Sequence, residues 1–366
     1  MQNERVSVAV AMSGGVDSSV AAALLKQQGY AVTGITMRLP SYASDARAAA
    51  PCCGARGIED ARRVAGALGI PFYELDLRSY FRQTVIADFC RAYGEGRTPN
   101  PCARCNEWIK FGKLLDRARE LGAEFLATGH YVRKAWDERA GRAILRRGKG
   151  DDDQSYFLFG LTQEQLRHAL FPLGEHGKDE VREIARRMNL AVHRKPGSQD
   201  LCFLPDGDYR EFLRAECPDA FRPGPIVHVS GKKLGQHNGI GNYTVGQRRG
   251  LGVAHAEPLY VVGFRQAENA VVVGERQHVL RDEVIVEEVN WLSVAPPRRS
   301  VEVTVKIRYN HPGAKARLVP EGGRRGRVAF AEPQEAPCPG QAAVFYRGTE
   351  LLGGGTIAAS LNGRED

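Results

Sequence analysis

The residues best equipped for chemistry in this chain are cysteines. Cys102 and Cys105 form a C-x-x-C inside TPNPCARCN (98–106), and Cys202 sits in the Gly/Ser/Gln-rich stretch GSQDLCF (197–203). A thiolate is a nucleophile, a redox partner and a soft metal ligand. In a chain read as carrying no export signal, this spacing points to catalysis, redox work or metal binding before a structural bridge. Cys90, Cys217 and Cys338 are isolated and read as small buried hydrophobes. Cys52 and Cys53 are adjacent and suggest no role.

A second set of residues suits phosphate. AMSGGVDSS (11–19) joins a strand pattern to a helix pattern. Gly14 and Gly15 permit close approach and positive φ, while Ser13, Ser18 and the N–H groups of the helix start make an anion site. The lysine of a G-x-x-x-x-G-K-[ST] loop is absent, and so is the G-x-G-x-x-G spacing of dinucleotide binders. S-G-G-x-D-S resembles instead the loop of N-type ATP pyrophosphatases, which bind the pyrophosphate of ATP and release it while adenylating a substrate.

The elements that must position these residues alternate. RVSVAVAM, AVTGITMRL, PFYELDL and EFLATGHY read as strands, separated by helices such as DSSVAAALLKQQG and GIEDARRVAGALG. Such alternation argues for βαβ units and a parallel sheet, with ligands beyond the carboxyl ends of its strands. Residues 40–56 read as an irregular insertion. Past residue 205, apart from the helical YREFLRAE, short Val-rich runs punctuated by Gly suggest small antiparallel barrels. The expected class is therefore α/β: a doubly wound parallel sheet of the ATP pyrophosphatase type over 1–210, then two small mainly-β domains, 211–282 and 283–366.

Composition sets the bounds. Hydrophobic residues are 43% and charged residues 26% of 366, which excludes collagen-like and disordered classes. No apolar run approaches a membrane span, and MQNERVSVAV lacks the features of a signal peptide, so a cytoplasmic protein is expected. The net charge of +8 is unevenly spread: residues 131–150 hold seven basic and two acidic side chains, and residues 301–330 hold the same. A nucleic-acid surface or a solvated basic face would each read this way.

TPNPCARCN, ATGHY (127–131), DDDQSYFL (151–158), GSQDLCF and GNYTVGQRRGLGV (241–253) follow the loop in that order. Together they resemble the tRNA-specific 2-thiouridylase family, from the loop at 11 to GQAAVFY at 340–346. The resemblance implies an enzyme that consumes ATP, with Mg²⁺, to replace O2 of the wobble uridine (position 34) of tRNA with sulfur. It implies Cys202 as the persulfide carrier and Cys105 as the thiol that attacks it or closes a Cys105–Cys202 disulfide. A positive environment is expected to lower both thiol pKa values. The sulfur donor would be a cysteine desulfurase or a sulfur-relay protein.

By the same resemblance Ala11, Met12, Ser13, Gly14, Gly15, Val16, Asp17, Ser18, Met37 and Gly129 meet ATP. Asn100, Pro101, Cys102, His130, Asp152, Asp153, Gln154, Arg308, Tyr309 and Gln341 meet tRNA, the last three from the C-terminal barrel. The family pattern N-P-D-x-x-C-N is broken here, because Cys102 occupies the Asp position. Cys102, Cys105 and Cys202 then make a second candidate, a three-thiolate site for a [4Fe-4S] cluster with one open iron. Persulfide pair and cluster both stay open. Two other functions fit part of the pattern: another adenylating pyrophosphatase of the amidotransferase or ligase type, and a non-catalytic RNA-binding or sulfur-carrier protein.

Overall fold

Val8 and Val10 are fully buried in β1 (Ser7–Ala11), the middle of a parallel sheet. The computed structural model describes residues 6–40, 42, 54–195, 201–204 and 209–362. Cys52, Cys53, Gln199, Asp200 and most of the insertion expected over 40–56 lie outside the described residues. The chain divides into two compact units: Met1–Val85 with Cys102–Gly207 and Thr349–Leu351, and Ile86–Pro101 with Asp208–Gly348 and Leu352–Asp366.

In the first unit β1 is followed by helix α1 (Val16–Gln27), β2 (Ala31–Arg38), helix α2 (Ala55–Leu68) and β3 (Phe72–Asp76). With β4 (Phe125–Ala127) and β7 (Ala169–Leu170) these strands form a five-stranded sheet in the order β3-β2-β1-β4-β7, parallel throughout. Val20, Ala21, Ala22 and Leu25 of α1 pack on it, and Gly29 ends that helix at φ +91°. The strand order reverses about β1, so the loops after β1 and β4 open into one crevice. A hairpin of β5 (Val132–Asp137) and β6 (Arg142–Arg147) carries the first basic segment, and Glu350 and Leu351 pair with β6.

The second unit holds two β bodies. One is a four-stranded sheet, β10-β11-β8-β9, of β8 (Gly224–His228), β9 (Lys233–His237), β10 (Tyr260–Arg265) and β11 (Ala270–Gly274). Its two hairpins are antiparallel as expected, but β11 lies parallel to β8. The long connection from β9 to β10 lets the second hairpin lie along β8, a reversal that short-strand spacing does not encode.

The other body comprises β12 (Leu280–Trp291), β13 (Val301–Lys306), β14 (Ala314–Pro320), β15 (Gly326–Glu335), β16 (Ala342–Arg347) and β17 (Glu350–Leu361). They run β12-β15-β14-β13-β16-β17, and β12 pairs with β17 to close a barrel. Alternation along β14 places Ala314, Ala316 and Leu318 in its core and Lys315 and Arg317 outside. The second basic segment is therefore largely the outer face of this barrel.

Cys90 and Cys217, expected as separate buried thiols, are joined by a disulfide with Cα atoms 5.8 Å apart. The segment Ala87–Gly94 and helix Tyr209–Glu216 bring them together across 127 residues, through Phe89 on Phe212 and Tyr93 stacked on Tyr209. Spacing along the chain carries no trace of that pairing.

Candidate active site

The loop after β1 is held open from behind. Gly14 has φ +73°, and a Cβ there would stand 2.0 Å from the carbonyl oxygen of Gly57 in the first turn of α2. No side chain caps α1: its N-cap is Gly15, and the hydroxyls of Ser18 and Ser19 turn back to donate to Gly15 O at 3.2 and 2.8 Å. Ser13 N–H donates to Ser18 Oγ at 3.2 Å, folding the loop on itself. Among the described residues the N-cap thus offers these opening N–H groups no side-chain acceptor, an arrangement suited to an anion.

The loop after β4 closes the other wall. A Cβ at Gly129 would fall 2.8 Å from the backbone of Asp17 and Ser18, so only glycine lets ATGHY approach α1 this closely. Tyr131 donates its hydroxyl to Asp17 Oδ1 at 2.7 Å, and Lys178 Nζ reaches Asp17 Oδ1 and Oδ2 at 2.8 and 2.6 Å. Lys195 Nζ donates to Gly14 O at 3.1 Å and to Asp60 Oδ2 at 2.6 Å. Burial pushes the Asp60 carboxyl up, but hydrogen bonds from Lys195 and Arg63 outweigh it and leave the group below its usual value. Met12 and Met37 are buried at the ends of β1 and β2.

Tyr131, Lys178, Lys195 and Gly57 escape sequence reasoning. Tyr131 had a signal, as the last residue of ATGHY. The lysines lie 161 and 181 residues from their partners in the loop and had none.

The C-x-x-C straddles a change of helix type. Pro101–Arg104 is α-helical, and Cys105–Leu114 continues as a π-helix with Cys105 buried. Asn106 donates to Phe157 O at 3.2 Å, while its Oδ1 is buried with no partner. The expected lowering of the thiol pKa is reversed at Cys105, and Cys102 shifts the same way. Cys102 is half-buried by exposed surface, yet desolvation pushes its thiol up to about 11, with Cys105 adding to the rise. Desolvation raises Cys105 too, and Lys110 opposes only part of it. Burial here outweighs one nearby cation. Cys202 is half-buried on the segment 201–204, beside Phe203, which packs edge-on against Phe81. The sulfurs of Cys102, Cys105 and Cys202 do not form a three-ligand group within 4.8 Å of one another.

The remaining expected site residues are placed variously. His130 is buried, with Nδ1 2.7 Å from Thr128 Oγ1 and its ring near Phe111 and Phe171. Burial, then Lys110, lowers its pKa well below the ordinary value, so the ring is neutral near pH 7. Asp152 is exposed. Asp153 accepts from Gly148 N, Ser155 N and Ser155 Oγ at 3.0–3.1 Å, and Gln154 Oε1 accepts from Tyr131 N at 3.2 Å. Asp153 and Gln154 thereby brace the turn that backs Tyr131.

In the second unit Asn100 is half-buried and Pro101 buried. Gln341 Nε2 donates to the carbonyls of Thr98 and Pro99 at 3.1 and 2.9 Å, and Cys338 Sγ donates to Thr98 Oγ1 at 3.2 Å. Gln341 thus holds the approach to Asn100. Arg308 is exposed, donating to Glu335 O at 3.3 Å, and Lys306 Nζ lies 5.6 Å over the Tyr309 ring.

Residues 6–206 match the family described as the tRNA methyl transferase HUP domain, 210–275 its PRC-barrel domain, and 281–357 the aminomethyltransferase beta-barrel domain. Sheet, crevice and barrels thus define a HUP-type α/β protein with two appended β domains. The chain is 50% identical over 361 residues to the tRNA-specific 2-thiouridylase MnmA of Syntrophotalea carbinolica, covering 98% of this chain and 100% of that one. It is 47% identical over 350 residues to the MnmA of Moorella thermoacetica, covering 95% and 98%. The chain belongs to the tRNA-specific 2-thiouridylase family. Among solved structures it is similar to the U34-tRNA thiolase NcsA of Methanococcus maripaludis with its [4Fe-4S] cluster, at TM-score 0.35 and 22% identity, over 58% of this chain and 68% of that one.

Proposed function

We infer that this protein is a tRNA-uridine 2-sulfurtransferase that adenylates O2 of uridine 34 with ATP and then delivers sulfur to C2. The observation that carries the reading is near-full-length identity of about half to 2-thiouridylases. The geometry supports it: an uncapped helix start, Gly14 and Gly129 pared to backbone, and Lys178 and Lys195 at the same crevice. A carbonyl oxygen is a poor leaving group, and adenylation makes it depart as AMP. Ala11–Ser18, Met37 and Gly129 are the ATP-facing set. Both oxygens of Asp17 are engaged by Lys178 and Tyr131, so Mg²⁺ arrives on the triphosphate rather than on a cage of protein carboxylates.

Cys202 carries the persulfide. Its terminal sulfur attacks C2 and AMP leaves; Cys105 then attacks Cys202 Sγ, freeing the thiouridine sulfur and closing a Cys105–Cys202 disulfide. An external reductant reopens that disulfide, and a desulfurase or relay protein reloads Cys202. A [4Fe-4S] cluster on Cys102, Cys105 and Cys202, each thiolate binding its own iron, is the alternative sulfur-handling device, and no step above runs through it. The two basic segments and Asn100, Arg308 and Tyr309 face tRNA, in domains divided near residues 210 and 282. The work is cytoplasmic, and among the described residues no helix is long and apolar enough to cross a membrane.

The test supplies unmodified tRNA, ATP, Mg²⁺ and a persulfide donor, and follows AMP and 2-thiouridine. Cys202→Ser is expected to abolish thiouridine while leaving tRNA-stimulated AMP formation intact. Full thiolation by that variant would remove the assignment. AMP formation stimulated by ammonia instead of tRNA would favour an amidotransferase.

A further inference from the structure

Among the described residues, one cluster of metal-ligating side chains outside the thiolation site is unused by the chemistry above. It lies at one end of the β10-β11-β8-β9 sheet. His228 ends β8, and Glu275 directly follows the last residue of β11. These strands are parallel neighbours, with Val273 opposite His228, so both chains leave the sheet at the same end. His255 comes from the connection before β10, and its ring stacks on that of His228 with centroids 5.5 Å apart.

The donor atoms converge on the carboxylate. His228 Nε2 stands 3.2 and 3.3 Å from the two oxygens of Glu275, and His255 Nε2 stands 4.0 Å from Oε1. One ligand atom from each of the three lies within 4.8 Å of the others. Zinc bonds of about 2.0–2.2 Å in tetrahedral array put ligand atoms roughly 3.3–3.5 Å apart, so His228 and Glu275 already stand at ligand spacing and the His255 connection has to close onto them. His278 Nδ1 lies 2.9 Å from Glu275 Oε2, buried and without a well-formed hydrogen bond, where it would orient the carboxylate from behind. Gly274 makes this possible, because a Cβ there would stand 2.9 Å from that nitrogen. On His228, Nδ1 lies 2.8 Å from Ser230 Oγ and accepts from Ser230 N at 3.2 Å, which fixes the ring by its second nitrogen; an ion at Nε2 would displace the ring proton to Nδ1, to be donated to Ser230 Oγ.

We propose that His228, His255 and Glu275 bind a divalent first-row transition ion of the Zn²⁺ class, with His278 as a positioning residue. Two imidazoles and one carboxylate are borderline donors and exclude Ca²⁺ and Mg²⁺ as preferred guests. All three are partly exposed, so water completes the coordination shell. The ion would tie the 238–259 connection to the sheet end.

The probe is Co²⁺, then Zn²⁺, added to the full-length protein after chelator treatment. One equivalent of Co²⁺ is expected to give the visible bands of nitrogen and oxygen ligation, without the thiolate charge-transfer bands that Cys102, Cys105 or Cys202 would produce. Zn²⁺ should displace it. His255→Ala and Glu275→Gln should each weaken Zn²⁺ binding by roughly tenfold or more, and His278→Ala should weaken it less. His255 is on an irregular connection, so its variant should unfold at the wild-type temperature in chelator. Absence of stoichiometric nitrogen/oxygen-ligated Co²⁺, thiolate bands alone, or unchanged Zn²⁺ affinity in His255→Ala would each overturn the proposal.

Discussion

Lys178 Nζ bridges both carboxylate oxygens of Asp17, at 2.8 and 2.6 Å, while lying 5.2 Å over the ring of Tyr131. The pair joins the start of α1 to the start of the helix Lys178–Arg187. Both side chains remain about a quarter exposed, so water still reaches them and the pair itself adds little stability. On the proposed function its use is as a counter-charge already in place where a triphosphate arrives. Lys178→Met keeps the stem over Tyr131 and removes the charge. ATP affinity, followed calorimetrically, should fall about tenfold, or ~1.4 kcal/mol, with tRNA affinity unchanged. Undiminished ATP binding would place Lys178 outside the nucleotide site.

The two loop glycines are not equivalent. Gly14 sits at φ +73° against the backbone of Gly57, whereas Gly15 is extended at φ −91° and a Cβ there would meet only Ser13 Oγ, at 3.4 Å. Gly14→Ala should cost on the order of 1–2 kcal/mol in backbone conformation and also drive α2 away from the loop. A lowered unfolding temperature together with lost ATP binding is the expected result. Gly15→Ala should fold normally. Equal behaviour of the two variants would contradict this loop geometry.

The parallel sheet was readable because each strand is an apolar run ended by turn residues, and the phosphate loop because its glycines and serines are contiguous. The sign of the thiol pKa shifts was not readable. C-x-x-C says nothing of how deeply Pro101–Leu114 is buried, and burial decides the outcome. Gln341 matched a tRNA-contacting position, and nothing in its sequence context showed that its Nε2 is held by the carbonyls of Thr98 and Pro99, more than two hundred residues away. The Cys90–Cys217 bridge and the lysines at Asp17 and Gly14 escaped for the same reason. Long-range pairing leaves no local pattern.

Because desolvation holds the Cys102 thiol at about 11 rather than 9, its thiolate fraction at pH 8 is lower than that of a model thiol by about 100-fold. Alkylation of Cys102 by iodoacetamide, mapped by mass spectrometry in the free protein, should be slow at pH 8 and climb toward pH 11. A rate at pH 8 matching a free peptide thiol would show that the sulfur is solvated.

Arg308 and Gln341 should separate electrostatic contact from positioning. Arg308→Ala removes an exposed cation, so tRNA affinity should weaken and its dependence on salt should flatten by about one counterion. Gln341→Ala removes no charge and frees the carbonyls of Thr98 and Pro99 ahead of Asn100. Its salt slope should match wild type while the rate of thiolation falls. A Gln341 variant with a flattened salt slope and normal turnover would reverse these roles.

The sharpest test is Cys102→Asp, which restores the family's usual carboxylate. The surroundings that push the Cys102 thiol upward would push an aspartyl carboxyl upward too, toward the range where it exchanges protons near neutral pH. That suits a group beside a base whose carbonyl must be activated. With Cys105 and Cys202 as the sulfur-handling pair, the variant should thiolate tRNA at or above the wild-type rate when given a persulfide donor. If Cys102 is instead one of three thiolates holding a cluster, the same change should abolish both activity and any visible absorbance of anaerobically prepared protein. The two outcomes are opposite in sign, so this one substitution separates the two mechanisms.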